Sequence, residues 1–190
     1  MSESNQHAEQ VTAVILAGGM ARRMGGMDKG WDHPQAHVWL AHDRDTDIIY
    51  VYDCYKARET LPPVHASMIK SRGQWIPCAW PHDVGAADDT GTGKTVARLY
   101  EEEGVNMLPR NAVWPDGSNS VEAGILEILN RLTKGTLKVA MHLEELQLEI
   151  DLFHRKQGKL VKEKDDLISA LRYAIMMLRF AEIEPEYSQE

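Results

Sequence analysis

Long apolar runs, cysteine and an excess of positive charge are all scarce in this chain of 190 residues. The longest uninterrupted apolar stretch near its start, Ala13 to Ala17, falls far short of the roughly 20 residues that cross a bilayer, so no membrane span is expected. Cys54 and Cys78 are too few and too far apart for a disulfide framework or a CxxC metal site, and they read as reduced thiols of a cytoplasmic protein. A formal charge of -8 argues against bulk, sequence-blind adhesion to DNA, although it permits a local basic strip. Residues 1–10 carry neither a basic n-region nor an apolar h-region, so no secretory signal is expected there and they read as a tail. The eight histidines show no HExxH or other metal-ligand spacing. "GTGKT", Gly91 to Thr95, fails as a P-loop, because Asp88 stands where the first glycine is required.

What is present is a sequence of short elements without internal repeat or linker. Val11 to Ala17, stopped by Gly18 and Gly19, reads as a buried strand. Gln35 to Ala41 and Asp47 to Tyr52 flank the polar turn "HDRDT" and predict a hairpin. Glu59 to Arg72 predicts a helix whose apolar face is Leu61, Val64, Met68 and Ile69; "WIPCAW" predicts a short strand. Helices are expected over Thr92 to Gly104 and Ser118 to Lys134, with "VNML" as a strand between them. A strand at Leu137 to Ala140, a helix at Leu143 to Phe153, a hairpin in "HRKQGKLV" and a helix from Asp165 to Glu182 complete the order. Such an order predicts one domain over residues 11–184, a mixed α/β sheet flanked by helices, with residues 185–190 as a second tail.

Three acidic positions lie where elements end: Asp28, Asp83, and Asp165 with Asp166. Carboxylates gathered within about 4 to 6 Å of one another raise each other's pKa, a penalty that divalent cations remove. Two Mg2+ or Mn2+ ions on such a cluster suit phosphodiester hydrolysis. Two of these positions also have a plainer reading, as a helix N-cap for Asp165 or Asp166 and as a turn residue for Asp83, and Asp28 alone in a glycine-rich loop has little specificity. Arg155, Lys156, Lys159, Lys162 and Lys164 crowd the hairpin just before Asp165, which is either a solvated turn or a phosphate-contacting arm. His82 and the five tryptophans, Trp31, Trp39, Trp75, Trp80 and Trp114, read as surface, core or rim residues.

The stretches "GMDKGWDHPQAHVWLAHDRDTDIIYVYDCYKARETLP", "IPCAWPHD", "GVNMLPRNAVWPDGSNSVEAGILEIL" and "FHRKQGKLVKEKDDLISALRYAIMML" resemble the C-terminal nuclease domain of tailed-phage terminase large subunits. The resemblance covers about residues 26–181. It implies an RNase H-like fold and an endonuclease that cuts concatemeric viral DNA during genome packaging with two metal ions. It implies double-stranded DNA as substrate, the small terminase subunit and portal as partners, and the bacterial host cytoplasm as the setting. By motif, Asp28 matches the aspartate of "GxDxG", Asp83 that of "PHD", and Asp166, or else Asp165, that of "DDxxxA". Arg155, Lys156, Lys159 and Lys162 are then the expected DNA contacts. Lys29 and Val84 depart from the family's pattern, and "ARRMGG" separates Ala17 from Asp28 where the family runs an apolar strand into its first aspartate.

A second resemblance shares that region. "VILAGGMARRMGGMDKG" is similar to the nucleotide-binding loop of molybdenum cofactor guanylyltransferases, which implies GTP held by Gly18, Gly19, Arg23 and Lys29. Nothing after Gly30 resembles the rest of that family. The chain therefore reads as a junction of two sequence families, with either Val11 to Ala17 or Met24 to Met27 as first strand. A third possibility, an inactive remnant, follows if the junction displaces Asp28.

Overall fold

The computed structural model describes residues 14–19, 34–82, 94–152, 155–156, 159–160 and 165–185, with residues 14–19, 155–156 and 159–160 described by their backbone. Five strands form one mixed sheet in the order β4-β1-β2-β3-β5. They are β1 (Val14–Gly19), β2 (Gln35–Asp43), β3 (Ile48–Ala57), β4 (Cys78–Ala79) and β5 (Leu137–Val139). β2 pairs antiparallel with β1 on one side and with β3 on the other, whereas β4 runs parallel to β1 and β5 parallel to β3. Met107 adds a parallel bridge to Cys78 at the outer edge, so "VNML" is reduced to one bridged residue rather than a strand.

The β2–β3 turn is closed by Asp43, whose carboxylate accepts the Asp45 and Thr46 amides and the Thr46 hydroxyl. β3 runs beyond Tyr52, where its apolar signal ends, because its polar residues find tertiary partners. Asp53 pairs with Arg72 at 2.7 Å and Lys56 pairs with Glu149 at 2.7 Å.

Each sheet face carries helices. Ala36, Val38 and Leu40 of β2 pack with α3 (Val121–Lys134), α4 (Glu144–Leu152) and α5 (Asp166–Met176). Trp39 faces the opposite way, among Ala66 and Ile69 of α1 (Pro62–Lys70) and Val96, Ala97 and Tyr100 of α2 (Val96–Glu102). α5 is the core helix: Leu167, Ile168, Leu171, Ala174 and Ile175 are all buried. Each fully buried Leu or Ile there contributes about 1.5 to 3 kcal/mol. It ends at Met176 and gives way to a 3-10 turn, Leu178–Phe180, so the expected single helix to Glu182 is two pieces.

α3 follows its sequence signals closely, with Ser120 accepting the Ala123 amide at its start and Gly135 at φ 72° ending it. α1 does not. Leu61 and Val64 are 55% and 49% exposed, and the buried stripe is His65, Ala66 and Ile69. Counting back three and four residues from Ile69 reaches Ala66 and His65, so close packing over Trp39 and Tyr55 selects a small residue and an imidazole. His37 on β2 meets this stripe, its ring 5.6 Å from that of His65 and stacked on Tyr55 at 6.0 Å. Both imidazoles are fully enclosed, and among the described residues their ring nitrogens make no hydrogen bond of good geometry. No helix among the described residues is long and apolar enough to cross a membrane.

Candidate active site

Three neighbouring residues mark one end of the sheet. Gly19, the last residue of β1, lies opposite Ala36 at the start of β2, and Ala36 lies opposite Lys56 near the end of β3. Strands about 4.8 Å apart place Gly19 and Lys56 about 10 Å from each other along this row. β4 is parallel to β1, with Ala79 opposite Ala17, so it stops at the same end. Two of the expected acids follow these strands, since Asp83 comes four residues after Ala79 and Asp28 nine after Gly19. Both lie outside the described residues.

The third acidic position is reached through side chains. Lys56 donates to Glu149 Oε1 at 2.7 Å, and also pairs with Glu145 at 2.5 Å. The other oxygen of Glu149 accepts the backbone amides of Leu167 and Ile168, at 2.8 and 3.1 Å. The first turn of α5 is thereby tied to the sheet end where β1 and β4 stop, and Asp165 and Asp166 open that turn, both half-buried. Glu149 is 3% exposed. Burial raises its carboxyl above the usual value, opposed by Lys56 and the two amides. Burial also works against the Lys56 ammonium, but its bonds to Glu145 and Glu149 prevail and raise its pKa.

This arrangement answers the plainer reading of Asp165. It stands at the N-cap position yet makes no side-chain capping bond, because the amides it would have served belong to Glu149. Among the described residues no group of three or more His, Cys, Asp or Glu is close enough to hold a metal. The described part of the expected cluster is thus its α5 member. An all-carboxylate donor set of Asp28, Asp83 and Asp166 fits a hard divalent cation such as Mg2+ or Mn2+.

β6 (Arg155–Lys156) and β7 (Lys159–Leu160) pair antiparallel, Arg155 opposite Leu160 and Lys156 opposite Lys159, forming the expected hairpin between α4 and α5. Lys162 and Lys164 lie outside the described residues. His82 is exposed, Trp39 is fully buried, and Trp75, Trp80 and Trp114 are half-buried. Trp31 lies outside the described residues.

The guanylyltransferase-like loop requires a correction. Gly18 and Gly19 are extended ladder residues opposite His37 and Ala36, so they do not form a phosphate-cradling turn. Val14 to Gly19 occupies the side of β2 from Ala36 to Ala41, which identifies this segment, and not Met24 to Met27, as the first strand beside it. Glycine's weak strand preference is overridden by a ready ladder on β2. Arg23 and Lys29 lie outside the described residues.

Sequence reasoning did not single out Lys56 and Glu149. One signal was available: Glu149 falls three residues after the buried Leu146, on the apolar stripe of α4, where an acid needs a partner.

Comparison with known proteins agrees with this geometry. The terminase RNaseH-like domain model matches residues 25–178. The large terminase subunit of Salmonella phage P22 is 42% identical over 155 residues, 81% of this chain and 31% of that protein. The large subunit of Enterobacteria phage LP7 is 41% identical over 151 residues, 79% of this chain and 32% of that protein. The chain thus spans about a third of the length of these relatives. The solved P22 large terminase nuclease domain superimposes with a TM-score of 0.78 and 38% identity, covering 91% of this chain and 84% of that one. The nuclease domain of the bacteriophage SPP1 large terminase, solved with bound Mn, shares the fold at a TM-score of 0.60 and 16% identity, covering 88% of each chain. A stretch of 36 residues, 19% of this chain, is 61% identical to 18% of the molybdenum cofactor guanylyltransferase of Shewanella sediminis. That short match leaves the remaining sheet and helices unexplained, whereas the terminase match runs through them. The mixed sheet flanked by helices is RNase H-like, and the chain belongs to the terminase RNaseH-like domain family.

Proposed function

We propose that this chain is a metal-dependent endonuclease domain that cleaves double-stranded viral DNA during genome packaging. The observation that carries the reading is the tie from Lys56 through Glu149 to the first turn of α5. It sets Asp165 and Asp166 at the sheet end from which the chain continues to Asp28 and Asp83. In this reading Asp28, Asp83 and Asp166, with Asp165 as the neighbouring oxygen donor, hold two Mg2+ or Mn2+ ions. When bound, such an ion pair supplies a lowered pKa for water and counter-charge for the departing 3′ oxygen. The carboxylates themselves repel one another, and a bound cation would offset that repulsion.

The hairpin cations Arg155, Lys156 and Lys159, with Lys162 beyond them, grip the phosphate backbone, which makes cleavage tolerant of sequence. Partners in a packaging assembly are the small terminase subunit and the portal, in the host cell cytoplasm. The Mn bound to the SPP1 nuclease domain supports the choice of cation. Incubation with supercoiled plasmid and Mn2+ tests the reading against Asp83→Ala and Asp166→Asn. Nicking that either variant abolishes is expected. No nicking together with saturable GTP binding would return the chain to nucleotidyltransfer, and neither activity would leave an inactive remnant.

A further inference from the structure

We infer that Glu149, held by Lys56, is the positioning residue that sets the carboxylate of Asp166 for cation binding. The inference rests on Asp166 being a metal ligand. Glu149 reaches from α4 into the first turn of α5 and takes the amides of the second and third helical residues, Leu167 and Ile168. These immediately follow Asp166, so their bonds fix the backbone from which the Asp166 side chain departs. Lys56 on β3 fixes the opposite oxygen of Glu149. One carboxylate therefore joins three elements: the strand that borders the site, the helix before the basic hairpin, and the helix after it.

Stability alone does not call for this device. Asp165 already occupies the N-cap position, where an aspartate side chain serves the same amides locally. A buried ion pair must also overcome the desolvation of both groups, and an apolar pair of similar size is often as stable. Using a remote glutamate leaves Asp165 out of the capping role and fixes the backbone that carries both aspartates. Outer-shell partners of metal ligands act in this way, and the helix start gains a bridge to the sheet that a local cap does not provide. The hairpin at residues 155–160 springs from the two segments that Glu149 clasps, so DNA contact and carboxylate placement share a foundation.

The test is Mn2+ affinity of the full chain, titrated by electron paramagnetic resonance of free Mn2+ at a temperature where circular dichroism shows each variant folded. Glu149→Gln is expected to weaken binding about tenfold, the lower end of the effect of losing an outer-shell partner. Ile125→Val, a trimmed core residue of α3, lowers the melting temperature and is expected to keep wild-type affinity. If Glu149→Gln does not fold, Lys56→Gln, which frees one oxygen of Glu149 and keeps both amide bonds, is expected to weaken binding in the same direction. Wild-type affinity in Glu149→Gln, or in Lys56→Gln where it stands in, beside a weakened Asp166→Asn overturns the positioning role alone. Equal weakening in Ile125→Val overturns it too, since the effect would then be general loosening. Wild-type affinity in Asp166→Asn removes the metal reading of Asp166, and the positioning role falls with it.

Discussion

Acidification from about pH 7 to about pH 5 is expected to destabilise the domain by about 4 kcal/mol through His37 and His65 alone. Burial pushes His37 down to about 3, helped by the charges of His65 and Arg72, and burial pushes His65 down to about 4 against the opposing pull of the Thr60 backbone. Unfolding returns both to about 6.5, so below that pH the unfolded chain binds protons that the folded chain refuses. A depressed histidine therefore supports the fold above pH 6.5 and loses that support as pH falls. Each pH unit lost below the unfolded value costs about 1.4 kcal/mol per histidine, or about 2 kcal/mol each at about pH 5. Small domains have about 5 to 15 kcal/mol in total, so the loss is readily measured.

Urea unfolding at a series of pH values reads it directly, provided the denaturant slope stays constant. Glu149, with its pKa raised by burial, titrates in the opposite sense, so the comparison that isolates the histidines is with His65→Leu. That variant should lose about 2 kcal/mol over the same range instead of about 4. Stability that is flat with pH, or an unchanged slope in His65→Leu, would refute the claim that these buried imidazoles are kept neutral by the fold.

Gly124→Ala sets two effects against each other. A methyl there overlaps Cγ of the buried Arg172, at an overpacking cost of about 1 to 3 kcal/mol, against about 1 kcal/mol gained in helix propensity. A lower melting temperature is expected, and a raised one would show that α3 and α5 separate freely. Lys156→Ala combined with Lys159→Ala should weaken binding to duplex DNA and reduce the slope of log affinity against log salt by about 2, from the loss of two phosphate contacts. An unchanged slope would return the hairpin to an ordinary solvated turn.

Much of the architecture was legible because local rules and tertiary packing agreed. Ser120 and Gly135 bound α3 as their chemistry demands, and Asp43 with Thr46 closes the turn that the polar run announced. The basic hairpin was legible from a glycine between two short runs, and the family from dense motifs running to α5. Legibility failed where a residue's role depends on a distant partner. Leu61 and Val64 looked like a core face, but the packing of α1 on Trp39 and Tyr55 turned His65 inward instead. Gly18 and Gly19 looked like a loop, but a vacant ladder on β2 made them strand.

At the site the division is sharper. Sequence alone determined which acids and cations were available and the order of the elements that carry them, because motif and periodicity are properties of neighbouring residues. Only the tertiary structure decided that the Asp165 side chain does not cap the helix it opens, since the amides of Leu167 and Ile168 are taken by Glu149 from another helix. No local pattern records such a bond, because it exists only once α4 and β3 have packed against the start of α5.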